Sequence, residues 1–282
     1  MNPTKYRNPG RAAARAFAAM ALAATSFLVP GAAHAADEAT ADTADAVATE
    51  EATTAEADTA NAATASSEAD ATACAVMRTA PAGTTATLDR GHADIFDLTS
   101  DAAGTLTLRI KEDATGSGVM REPEQTLLAV NKSTLTQIPG SVSQATGAPA
   151  TAYLLGQSGD NQATVLWPGW DTLGITAGGY NAARFHISYT GPENGRIYAF
   201  TSSFTEGTKA VTNDGSFDLA PEGDDIDQPY AAHKHVNWLF TRAGRYTLTV
   251  QASAWTPGNT GTANAVAPTR TYTIDCLLYT SD

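Results

Sequence analysis

The sequence predicts an all-β protein, and three observations carry that prediction. From about residue 76 onward, short runs alternate apolar and polar residues with period two. Turn signals such as Thr190-Gly191-Pro192, Asn194-Gly195 and Asn213-Asp214-Gly215 separate them. No amphipathic helix of useful length interrupts the pattern. Strands spaced this way point to an immunoglobulin-like antiparallel β-sandwich. Residues 76–275 are more than seven strands need, so the sandwich is expected to carry long loops or added strands, with 137–149 as one such loop.

Taken in order, the first 35 residues read as an export leader. Lys5, Arg7, Arg11 and Arg15 precede an apolar run at 16–29, and Ala33-His34-Ala35 offers the small residues of a cleavage site. The run is short for a bilayer span. Residues 36–75 then form a linker made almost wholly of Ala, Thr, Ser, Asp and Glu. Lacking large apolar side chains to offset ordering entropy, it is expected to be extended and disordered. The strands follow at 104–111, 127–130, 152–155, 184–189, 196–201, 233–240, 245–254 and 270–274. The final CLLYTSD, residues 276–282, is what TGT CTC TTA TAC ACA TCT GAC encodes, the end of a transposon-derived sequencing adaptor. The natural reading frame is therefore expected to part from this one near Asp275.

Charge and cysteine narrow the function classes. The formal net charge is −13 and becomes about −17 once the four leader bases are removed, which argues against nucleic acid or anionic lipid as a direct partner. Cys74 and Cys276 are the two cysteines. Export would permit a bridge between them, but the adaptor reading of Cys276 gives that bridge little weight. The chain shows no Gly-x-Ser-x-Gly element, no His-Glu-x-x-His and no phosphate-cradling glycine loop, so no enzyme is expected.

The segment HKHVNWLFTRAGRYTLTV, residues 233–250, holds the densest chemistry. On a strand, His233, His235 and Asn237 share one face while Val236, Trp238 and Phe240 share the other. After the turn at 241–244, Tyr246, Leu248 and Val250 alternate with threonines, as a hairpin partner with one buried face would. Two histidines at i and i+2 can aim at one ion, and neutral imidazole suits zinc or copper. The competing reading has both histidines as exposed strand residues bonded to loops.

This segment resembles the H-x-H-x-N-W-x-F-T-x-x-G-x-Y-x-L-T-V signature of the actinobacterial surface-anchored domain of choice-of-anchor M cell-wall proteins. RGHADIFDL at 90–98 resembles that family's Gly-His-x-Asp element, PGWDTLGI at 168–175 its Gly-Trp-x-Thr element, and YTGPENGRIYAF its Gly-Pro hairpin. The likeness spans roughly residues 84–275. It implies a secreted protein held at the cell wall or membrane, with a metal-uptake transporter or another cell-envelope protein as partner. No sorting motif or C-terminal membrane segment is present, and on the adaptor reading such an anchor would lie beyond the break.

His92, in the Gly-His-x-Asp element, is thereby the expected third metal ligand beside His233 and His235. Asp94, on the same strand face, is a further ligand or a hydrogen-bond acceptor behind one, and Asn237 a group steadying an imidazole or a strand end. His186 is the lesser candidate, because alternation with Phe185 and Ile187 turns it to solvent. The acidic run 222–227 invites calcium but lacks the spacing of an EF-hand and reads as a solvated turn. Trp167 and Trp170 are expected to be buried at a sandwich end; their exposure would favour an adhesive module binding a glycan or a protein.

Overall fold

The computed structural model describes residues 80–277. The expectations for the leader, the linker and Cys74 lie outside the described residues, as do residues 278–282. Three sheets account for the strands. The largest has the order β1 (Ala86–Leu88), β5 (Thr126–Val130), β17 (Arg270–Cys276), β15 (Gly244–Trp255), β9 (Ala182–Thr190) and β12 (Asp224–Gln228), with β16 (Ala265–Val266) beside β15. The second runs β13 (His233–His235), β8 (Leu166–Asp171), β2 (Gly91–Ser100), β3 (Leu106–Glu112) and β4 (Val119–Arg121). The third runs β11 (Gly207–Ala210), β10 (Ile197–Ser203), β14 (Asn237–Phe240), β7 (Thr151–Leu155) and β6 (Leu135–Gln137).

The chain is thus all-β, a sandwich in which side chains of all three sheets meet in one core. Phe96 of the second sheet stands 5.3 Å from Phe185 and 5.2 Å from Tyr272 of the first, and 6.2 Å from Trp238 of the third, ring centre to ring centre. Each ring is fully buried or nearly so. Such rings carry large apolar areas out of water and dominate a core of this kind. Among the described residues, no helix is long and apolar enough to cross a membrane.

The structure corrects the sequence reading in five places. The sandwich is not purely antiparallel, because β1 with β5, β5 with β17 and β2 with β8 run parallel. Alternation reports which side chains share a face and says nothing of a neighbour's direction. The expected strand 233–240 is two strands in two sheets: the chain leaves the second sheet at His235, buries Val236, and enters the third at Asn237. Nor do 233–240 and 245–254 form a hairpin. Strand β14 pairs with β10 and β7, whereas β15 pairs with β9 and β17. The turn between them crosses from one sheet to another, and Phe240 meets Tyr246 edge to face at 5.2 Å across it. A hairpin and such a crossing bury the same alternate residues, so the pattern could not separate them.

The fourth and fifth corrections concern loops. Within 137–149 lies α1 (Gly140–Thr146), which ends at left-handed Gly147. Its Val142 packs on Ile138, Ala152, Tyr198 and Leu239, a small second core. The acidic run is no solvated turn, since 224–228 is the edge strand β12. There Asp225 and Asp227 pair with Arg184, and Asp225 also with His186. Strand β17 continues one residue beyond Asp275 to Cys276, which is buried and has no disulfide partner among the described residues.

Candidate metal centre

The second sheet places the histidines. Because β13 pairs with β8, and β8 with β2, residues far apart in sequence fall into rows across the strands. One row reads Lys111, Asp94, Gly169, His235, and the next Arg109, Asp97, Asp171, His233. His92 lies one pleat from Asp94 on the same face, opposite Trp167. A bulge in β2 between Asp94 and Asp97 adds a residue and brings Asp97 toward Lys111 and Asp171. In a regular strand, residues three apart would face opposite ways.

The three imidazoles converge through their Nε2 atoms. His233 Nε2 is 3.1 Å from His92 Nε2 and 3.0 Å from His235 Nε2. Asp94 Oδ1 lies 2.8 Å from His233 Nε2 and 3.5 Å from His92 Nε2. One ligand atom from each of the four residues lies within 4.8 Å of every other, and the group can hold a metal ion. Ligands about 2.05 Å from a tetrahedral zinc stand about 3.3 Å apart, within the spread of the distances observed.

Asp94 sharpens that geometry. It is fully buried, and neither of its oxygens has a hydrogen-bond partner. The short approach to His233 falls outside hydrogen-bond geometry, so neither carboxylate oxygen is taken up by a bond to that imidazole. Burial raises the Asp94 pKa, opposed by His233, His92 and Lys111. An ionised carboxylate without donors is costly in a protein interior, and a bound cation relieves that cost.

The surroundings orient the imidazoles. His92 Nδ1 lies 2.7 Å from Asp113 Oδ2, so the ring donates there and keeps its Nε2 lone pair toward His233. Asp113 is itself held by the Gly118 amide at 2.7 Å, and that bond together with His92 lowers its pKa. His235 stacks on Trp167 with ring centres 3.8 Å apart and planes 16° from parallel. Beneath it, Gly169 is obligatory: a Cβ there would lie 2.7 Å from the imidazole and 2.6 Å from the Lys234 carbonyl. Burial, then the nearby His233 and His92, lowers the His235 pKa to about 4, which leaves this ring a neutral donor at neutral pH. The site opens to solvent at His233, whose side chain is 40% exposed against 14% for His92.

The candidates thus divide. His92, His233, His235 and Asp94 come together, with a carboxylate oxygen of Asp94 inside the same group as the imidazole nitrogens. Asn237 does not join them. On β14 it accepts the Gln157 amide and donates to Gln157 Oε1, both at 3.0 Å. Its link to the site is indirect, for the Gln157 carbonyl holds the Trp167 indole at 3.1 Å. His186 sits on β9 against Asp225, away from the cluster. The acidic run supplies no further metal-holding group among the described residues. Trp170 is fully buried and donates to Gln228, while Trp167 is half-buried against His235, so the pair presents no open aromatic surface. Sequence reasoning missed Asp113, Lys111, Asp171 and the Trp167 stack. No protein-family model matches the chain, and no curated protein matches it.

Proposed function

We propose that this chain is a secreted, cell-envelope surface protein that binds a divalent transition metal, zinc or copper, through His92, Asp94, His233 and His235, as a non-enzymatic accessory to metal uptake. The observation that carries the reading is Asp94, fully buried with both oxygens lacking donors and aimed where three imidazole nitrogens meet. Three nitrogens and one oxygen suit zinc or copper better than calcium or magnesium, which favour all-oxygen shells. The opening at His233 gives an ion a path in and out, as a carrier requires.

Export rests on the leader-like first 35 residues, and a transporter or other envelope protein as recipient rests on the resemblance of the histidine segment. The immunoglobulin-like reading of the sandwich belongs to the same proposal. Tyr246 supports it, for at the crossing between sheets its hydroxyl donates to the Arg242 carbonyl at 3.0 Å and accepts the Arg242 amide at 3.2 Å. Titration calorimetry and elemental analysis of the 76–275 domain test the metal. Wild type is expected to bind one equivalent and the His233→Ala/His235→Ala variant none. Equal zinc and copper binding by the two proteins would refute the site.

A further inference from the structure

We infer that Lys111 determines the metal specificity of this centre, by holding the Asp94 carboxylate to one-oxygen ligation and so favouring a four-coordinate ion over ions that demand larger oxygen-rich shells. The inference rests on the proposed metal site and adds a role for a residue outside the ligand set.

The two oxygens of Asp94 face different neighbours. Oδ1 is turned to the imidazoles, 2.8 Å from His233 Nε2, whereas Oδ2 is turned to the Lys111 ammonium at 3.6 Å. Lys111 stands directly across β2 and β3 from Asp94. Its Nζ is fixed from the other side by Asp171 Oδ2 at 3.1 Å, and Asp171 is in turn anchored by its Oδ1, which accepts the Leu173 amide at 2.8 Å. The ammonium is therefore tethered beside Oδ2 rather than swinging in solvent, and its side chain is only 34% exposed.

A carboxylate that chelates an ion must turn both oxygens toward it. Here that turn would carry Oδ2 away from the ammonium, leaving Lys111 with less compensation among Asp94, Asp97 and Asp171. It would also draw the bound cation toward a fixed positive charge. Zinc loses little by one-oxygen ligation, since three nitrogens and one oxygen complete a tetrahedron. Manganese and calcium lose more, because they favour six or more ligands and carboxylate oxygens in particular. The same ammonium offsets part of the negative charge of the buried carboxylates, which lowers the affinity for every dication. Specificity is thus the measure that isolates the role, and absolute affinity is not.

The test compares wild type, Lys111→Met and Lys111→Arg by competitive titration with zinc and manganese, and by the visible spectrum of the cobalt(II) forms. Four-coordinate cobalt(II) absorbs strongly in the visible and six-coordinate cobalt(II) weakly. Lys111→Met is expected to lower the zinc-to-manganese affinity ratio by about tenfold or more and to weaken the cobalt bands, while Lys111→Arg keeps both near wild type. An unchanged ratio and spectrum in Lys111→Met would overturn the inference and leave the metal site standing. A wild type that binds no zinc would remove both. A Lys111→Met protein that is merely less stable shows a lower melting temperature with the wild-type ratio, and that result also counts against the inference.

Discussion

Replacing Asp94 with asparagine separates a ligand from a structural carboxylate, because the two roles predict opposite effects on the metal-free fold. Asp94 is fully buried, and each of its two oxygens lacks a hydrogen-bond partner. A buried unsatisfied polar group costs about 1–3 kcal/mol, more when charged. Asparagine is nearly isosteric, removes the charge and offers an amide that can donate to the facing imidazole nitrogens. Against this gain stands the pairing with Lys111 at 3.6 Å, worth no more than about 1 kcal/mol for a partly exposed lysine that also keeps Asp171. The net expectation is that metal-free Asp94→Asn is more stable by about 1–2 kcal/mol, or about 2–8 °C in melting temperature for a domain of this size. With zinc the order reverses. A ligand at 100 times its dissociation constant stabilises wild type by about 2.7 kcal/mol. The variant keeps only about 0.4 kcal/mol of that, because losing an anionic ligand is expected to cost at least 100-fold in affinity, the upper end for residues that only support ligands, and the deficit of about 2.3 kcal/mol then outweighs its metal-free gain. Scanning calorimetry of both proteins, in EDTA and with excess zinc, reads the crossing directly. A variant that melts lower in EDTA, or that keeps the full zinc shift, would show Asp94 to be a framework carboxylate.

Two further outcomes follow from the same sheet. Asp97 is buried, and burial, then Asp171, raises its pKa to about 6. A carboxyl with a folded pKa above its unfolded 3.8 favours the fold most below pH 3.8, and that contribution is lost as the pH rises through 6; the difference amounts to about 3 kcal/mol. Asp97→Asn should therefore gain stability relative to wild type between pH 4 and 7, measured by urea unfolding with chelator present, and parallel stability–pH curves would exclude a shifted Asp97. Asp113→Ala removes the acceptor of His92 Nδ1 and should weaken zinc binding by about 10–100-fold while keeping one equivalent. Calorimetric affinity equal to wild type would mean that the His92 ring is held by other contacts.

How much of this was legible in the sequence depends on whether a feature lives along a strand or between strands. The i, i+2 spacing of His233 and His235, and of His92 and Asp94, placed each pair on one face, and the structure keeps both relations. The buried set Trp238, Phe240, Tyr246, Leu248 and Val250 was equally readable by alternation. What alternation does not encode is the neighbour. The apparent hairpin became a passage between sheets, and the parallel pairing of β2 with β8 left no mark in the sequence. Asp171 and Trp167 reach the site through the β2–β8 register, which joins strands dozens of residues apart, and Lys111 through the register of the β2–β3 pair, so no spacing along one strand announces them. Asp113 enters from the turn that follows β3, bonded to a histidine 21 residues earlier.

The break between His235 and Asn237 explains why the same short segment serves both core and site. A continuous strand would keep 233–240 in one sheet, with the histidines and Asn237 together on one face. The change of sheet at Val236 instead leaves a three-residue strand at the edge of β8, opposite Gly169 and Asp171. An edge strand has one neighbour only, so its histidines can lean across β8 toward β2 without a further strand in the way. Gly169 makes that lean feasible, because any side chain there would strike the His235 ring. The buried Trp238 and Phe240 then fix the far side of the break in the third sheet, and a third link runs back through Asn237, Gln157 and Trp167 to His235. The polar start of the segment is therefore held rigid by its own apolar continuation. That rigidity is what allows three nitrogens from strands 141 residues apart to meet within about one hydrogen-bond length.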